Sequence, residues 1–80
     1  METHRPLFQY AGTIRRDWQN VNYAAKPYLA AMFSLDQITD RYGMDSAQSI
    51  VAYFLSNAGS WRGEIARQVK MELKKIAGIK

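Results

Sequence analysis

Apolar side chains recur at helical spacing along most of this chain, and only a few residues separate one recurrence from the next. Tyr28, Met32, Leu35, Ile38 and Tyr42 follow one another at steps of four, three, three and four, the stripe of a single helix. Pro27 fits the first turn of that helix, where a missing N–H costs nothing, and Gly43 ends it. Asp45 followed by Gln48 reads as an N-cap with a capping-box partner. Behind it Ala47, Ile50, Val51, Phe54 and Ala58 fall at helical spacing, with Gly59 as C-terminal cap. Ser60 then caps a last helix with Glu64 near its positive end; Trp61, Ile65, Val69, Leu73 and Ile76 form its apolar stripe, and Gly78 closes it. Helices joined by such short loops must pack as neighbours. The expected fold is all-α: a single domain over residues 1–80, with a small bundle of three main helices in 21–80.

Residues 1–20 form a docked N-terminal segment, an arm or short element. Leu7, Tyr10, Ile14, Trp18 and Val21 have helical spacing, but Gly12, Thr13, Asn20 and Asn22 are poor interior residues. A short strand or extended arm through residues 7–10 stays open as the alternative. Phe8 and Trp18 are large enough to dock it.

Eighty residues allow one small core, and a hydrophobic content of 48% is ample for a folded chain. With no cysteine, disulfides, thiolate metal sites and cysteine nucleophiles drop out together. No apolar run approaches the roughly 20 residues of a membrane span. Residues 1–6 lack the apolar segment of a signal peptide. The expectation is a soluble, cytoplasmic protein without membrane contact.

Catalytic chemistry has few carriers. The single histidine, His4, sits near a terminus expected to fray, and no glycine-rich phosphate loop is present. We therefore expect no enzyme, no cofactor and no metal. Asp36 and Asp40 could share a helix face and hold a divalent ion. The apolar stripe lies on the other side, so they read as a solvated face, or with Arg41 as a patch for a partner. Met32, Met44 and Met71 are expected as gap-fillers of a small core. Phe33, Tyr53 and Phe54 exceed what that core can hold, so a leftover aromatic patch could serve as a dimer surface. The oligomeric state is left open.

Charge is distributed unevenly. Residues 61–80 carry Arg62, Arg67, Lys70, Lys74, Lys75 and Lys80 against Glu64 and Glu72, which is the whole net charge of +4. Arg67, Lys70 and Lys74 lie at i, i+3 and i+7 beside the apolar face, flanked by Arg62 and Lys75. Such a stripe can meet phosphates or an acidic protein surface. Cations in a final turn also complement the helix dipole without any partner. Helix-turn-helix spacing fits poorly: with Gly59 as the turn glycine, Leu55 and Gln68 fall where a small and an apolar residue belong. Gln68 is the only amide on the helix that could read a base edge, so phosphate contact is easier to support than sequence readout. Ser60, Arg62 and Gly63 suggest an anion site at the N-terminus of this helix, where free N–H groups gather. The competing reading makes Trp61 a core anchor and Gly63 a relief of crowding.

The runs Asn22-Tyr23-Ala24-Ala25-Lys26-Pro27-Tyr28-Leu29, Tyr53-Phe54-Leu55-Ser56-Asn57 and Trp61-Arg62-Gly63-Glu64, with Tyr42-Gly43 and Asp45-Ser46-Ala47 between them, resemble small proteins of bacteriophages and mobile elements. No activity is assigned to that group, so no residue role comes with the resemblance. It implies an accessory protein in a bacterial host cell. Proteins of that setting include inhibitors of host defence, anti-CRISPR proteins among them, and small DNA-binding regulators. The expected function is non-catalytic binding of a host protein or nucleoprotein complex through Arg62, Arg67, Lys70, Lys74 and Lys75. The alternative is a nucleic-acid-binding regulator using the same helix.

Overall fold

A computed structural model describes residues 5–79. The N-terminal segment is a full helix, so the bundle has four helices among the described residues: α1 (Leu7–Asp17), α2 (Lys26–Met32), α3 (Ala47–Ser56) and α4 (Glu64–Ala77). Strands β1 (Arg41–Tyr42) and β2 (Asp45–Ser46) form a hairpin between α2 and α3. No described helix is long and apolar enough to cross a membrane. α1 packs on α2 and α4, and α3 lies between α2 and α4.

Helical spacing wins over propensity in α1. Leu7, Tyr10, Ala11 and Ile14 are buried on one side, and Trp18 continues the stripe past the last turn. Gly12 and Thr13 are tolerated because burial of that face outweighs their modest propensity cost. No strand or extended arm forms over residues 7–10.

The expected helix through residues 28–42 stops at Met32. Pro27 takes its place in the first turn, but past Met32 the backbone turns away. The last amides tighten to residues three back, Phe33, Ser34 and Leu35 N–H donating to the carbonyls of Ala30, Ala31 and Met32. The segment beyond is held by α1: Leu7 N–H donates to Asp36 O at 2.8 Å and Phe8 N–H to Leu35 O at 2.9 Å. Those carbonyls satisfy amides at the open end of α1, which tie the segment after α2 to the start of α1. Asp40 stabilises the departure, its carboxylate accepting from the amides of Asp36 and Gln37, both at 3.0 Å. Thus Asp36 and Asp40 share a loop and not a helix face. Leu35 still enters the core, while Tyr42 is carried out into the hairpin and exposed.

Gly43 does not end a helix; it turns the hairpin. Arg41 pairs with Ser46 and Tyr42 with Asp45, leaving Gly43 and Met44 as a two-residue connection. The φ of +62° at Gly43 is the positive value that such a turn demands at its first central position. The cap of α3 is Ser46, not Asp45: its hydroxyl accepts from Ser49 N–H at 3.1 Å. Gln48, expected as the capping partner, instead donates to Ala77 O at 2.7 Å and helps close the end of α4.

Ala47, Ile50, Val51, Phe54 and Ala58 are buried as their spacing predicts. Asn57 rather than Gly59 is the C-cap of α3. Met32 fills the core, but Met44 and Met71 are 93% and 60% exposed and fill no gap. Phe54 is fully buried whereas Phe33 and Tyr53 stay outside, with the Tyr53 ring stacked on Tyr28 at 5.4 Å.

Candidate binding face on the C-terminal helix

α4 begins at Glu64, three residues later than the apolar spacing predicts. The buried side is accordingly Ala66, Val69, Leu73 and Ala77, while Ile65 is half-exposed and Ile76 partly covered. Trp61 is core, but it reaches the core from the loop. Its indole stacks on Trp18 with centroids 5.9 Å apart, and Nε1–H donates to Asp17 Oδ2 at 2.8 Å. Gly78 closes the helix in the left-handed conformation, as expected.

The late start changes the anion-site reading. Ser60 stands in the preceding turn and caps nothing; Gly63 is the N-cap, and no side chain bonds the first amides. A Cβ on Gly63 would meet nothing within 4 Å, so glycine does not relieve crowding. It is needed for the backbone, at φ 116° and ψ −179°, a region essentially confined to glycine. Arg62 is exposed beside it, but the first turn already carries the Glu64 carboxylate at the positive end of the helix.

The predicted basic stripe divides in two. Arg67, Lys74 and Lys75 point outward with Arg62 ahead of them, and all four are exposed. Lys70, midway along the stripe, folds back instead. Its Nζ donates to Ala58 O and to Trp61 O, both at 2.6 Å, and lies 5.8 Å from the centroid of the Trp61 ring. Partial burial pushes the Lys70 ammonium below its ordinary range, and the charges of Lys74 and Arg62 add to that. Lys70 therefore belongs to the scaffold: it satisfies two loop carbonyls between α3 and α4.

Glu72, the second carboxylate of the helix, is also committed inward. Tyr10 Oη–H donates to its Oε1 at 2.7 Å, and Arg5 approaches to 3.5 Å. Arg5 also lies over the Tyr10 ring, 4.8 Å from its centroid. No sequence signal marks this clamp, because Tyr10 and Glu72 are 62 positions apart. The outward face is left with four cations and the Glu64 carboxylate. Arg67 and Glu64 approach only to 3.9 Å, with side chains 81% and 88% exposed, so their attraction is small.

Met71 projects among these cations, and a shallow depression lined by Arg67, Lys70, Met71, Lys74, Lys75 and Ile79 runs along the face, Lys70 contributing to its wall while its ammonium is held by the loop carbonyls. The arrangement can attract an anionic surface and bury one flexible apolar side chain against it. Among the described residues no group of three histidines or carboxylates is close enough to hold a metal ion. His4 lies outside the described residues. Comparison with protein-family models, with curated proteins and with solved structures finds no match.

Proposed function

We propose that this chain is a non-catalytic accessory protein of a bacteriophage or mobile element, and that the outward face of α4 docks on a host protein or nucleoprotein complex in the bacterial cytoplasm. In this reading it acts as an inhibitor of a nucleic-acid-guided defence, in the manner of anti-CRISPR proteins. The observation that carries it is the composition of the face: Arg62, Arg67, Lys74 and Lys75 around an exposed Met71. A surface that only tracked phosphates would gain nothing from the methionine, whereas an acidic protein surface can cover it. Lys70 leaves the contact set because its ammonium is engaged with the loop.

The second reading is a regulator that binds nucleic acid directly through Arg62, Arg67 and Lys74. Against it stands the connection between α3 and α4, which spans residues 57–63 where a helix-turn-helix uses about three or four. A capture experiment separates the two. Tagged protein is incubated in host lysate with and without nuclease, beside an Arg67→Glu/Lys74→Glu variant. Capture that survives nuclease and is lost in the variant is the expected result. Capture abolished by nuclease, with steeply salt-dependent binding of duplex DNA by the isolated protein, would establish the regulator instead. Turnover of a nucleotide or phosphoester would overturn both.

A further inference from the structure

A second basic surface lies between the C-terminal end of α1 and the outward side of α2. Val21, Leu29, Ala30 and Phe33 line the apolar part of an open cleft there of about 550 Å³, and Arg15 and Lys26 supply its cations. A neighbouring depression over Trp18 shares Arg15, Val21 and Lys26. Along α2, Lys26, Ala30 and Phe33 recur at i, i+4 and i+7, one face of a helix. This is the side left over once Leu29, Ala31 and Met32 have turned toward the core. Phe33 is 40% exposed, a large ring that the core does not use. The Arg15 guanidinium sits 5.9 Å from its centroid, so one cation and one apolar wall are already side by side. Among the described residues, neither Arg15 nor Lys26 has a carboxylate within ion-pairing distance.

We infer that this cleft is a docking site for an acidic peptide segment of a protein partner. One large apolar side chain of the segment enters against Phe33 and Leu29, and flanking carboxylates reach Arg15 and Lys26. Charge complementarity selects this occupant. The rim needs anions, which excludes a neutral or basic apolar peptide as the best fit. The floor needs an apolar side chain, which a nucleic acid backbone does not supply. Carboxylates bound bidentately by Arg15 would be fixed in orientation as well as attracted. The segment itself need have no structure before it docks, since an apolar anchor and two charge contacts can order a short disordered stretch. The site is separate from the α4 face, so each can fail without the other.

A displayed library of random dodecapeptides, panned on the whole protein, tests the inference. The expected enrichment is peptides with Asp or Glu on both sides of Leu, Ile, Phe or Trp. Binding of the enriched peptides is expected to weaken at least tenfold in Arg15→Glu/Lys26→Glu and in Phe33→Ser, and to be unchanged in Arg67→Glu/Lys74→Glu. All these side chains are exposed, so circular dichroism of the variants should match the parent, and the two cleft variants check each other if one is less stable. Failure to enrich any peptide, enrichment without acidic residues, or binding indifferent to both cleft variants would overturn the assignment. So would displacement of the enriched peptides by duplex DNA or by oleate at lower concentration than by free peptide.

Discussion

The ammonium of Lys70 donates to the carbonyl oxygen of Trp61 at 2.6 Å, and this single contact divides the basic residues of α4 into scaffold and surface. With Ala58 O at the same distance, Lys70 bridges two carbonyls of the loop that delivers Trp61 to the core. Arg67 and Lys74, three and four residues away on the same flank, are exposed and make no such bonds to the loop.

Lys70→Ala is therefore expected to lower stability by about 1.5–3 kcal/mol, the usual range for hydrogen bonds to a charged group. Arg67→Ala and Lys74→Ala should stay within about 0.5 kcal/mol of the parent, as exposed substitutions do. Urea unfolding of the three variants makes the comparison. Equal stability of all three would return Lys70 to the contact face.

Trp61 offers a second test of the same loop. Trp61→Phe removes the bond to Asp17 and shrinks the stack on Trp18; the expected loss is about 1–2 kcal/mol from the hydrogen bond and the aromatic pair together. Asp17→Asn keeps an acceptor for the indole and should cost much less. A cost for Asp17→Asn as large as that for Trp61→Phe would show that the carboxylate acts elsewhere.

Two glycines should respond with opposite signs. Gly63→Ala is expected to destabilise by about 1–3 kcal/mol, since only glycine is at ease at its backbone angles. Gly12→Ala, in the interior of α1, is expected to stabilise by about 0.5–1 kcal/mol. Its new methyl would meet only Arg16 Nη1, at an ordinary 3.9 Å. Thermal melts read both, and a neutral Gly63→Ala would contradict the strain argument.

The clamp between α1 and α4 makes stability depend on pH at both ends. The Tyr10 hydroxyl, ahead of the Arg5 charge, holds the Glu72 carboxyl below its ordinary value of 4.5 in spite of partial burial. The amides of Gln37 and Asp36 hold Asp40 below 3.8. Depressed carboxyls stabilise the fold above their unfolded values, and that contribution is lost as pH falls through the folded ones. Tyr10 runs the other way: burial first, then the bond to Glu72, raises it above 10.0. Its contribution is complete below that value and is lost as pH rises through the folded one. Urea midpoints should fall as pH drops below about 5. Above about pH 9 the loss at Tyr10 is opposed by Lys70, whose lowered value makes the fold gain stability as its proton leaves. The alkaline effect of Tyr10 is therefore read as the difference between the parent and Tyr10→Phe. Glu72→Gln should flatten the acid limb and Tyr10→Phe should remove the Tyr10 loss from the alkaline limb; unchanged limbs in both would remove the clamp from the account.

Local pattern made several elements legible. The spacing of Ala47, Ile50, Val51, Phe54 and Ala58 identified α3 and its buried side, because the helix period is a property of neighbouring residues alone. Pro27 marked the first turn of α2, and Gly78 marked the end of α4. Of the five cations grouped by the charge asymmetry, Arg62, Arg67, Lys74 and Lys75 are exposed, and nothing in the spacing separated them from the half-buried Lys70. Start signals were less reliable. Ser46 competed with Asp45 for the same cap, and Ser60 looked like a cap although Gly63 takes that position.

What the sequence by itself determined is the repertoire: helices with one apolar side each, a start at Pro27, a stop at Gly78 and an excess of cations near the C-terminus. Tertiary structure decided where that repertoire was overruled. The stripe from Tyr28 to Tyr42 has a helical period, yet α1 takes the carbonyls of Leu35 and Asp36 and the helix ends ten residues short of Tyr42. Lys70 and Glu72 look like surface charges, yet a loop and a distant tyrosine claim them. In each case the deciding hydrogen bond joins residues far apart along the chain or in a loop without periodicity. Spacing carries no information about such partners; they meet only when the core has brought them together.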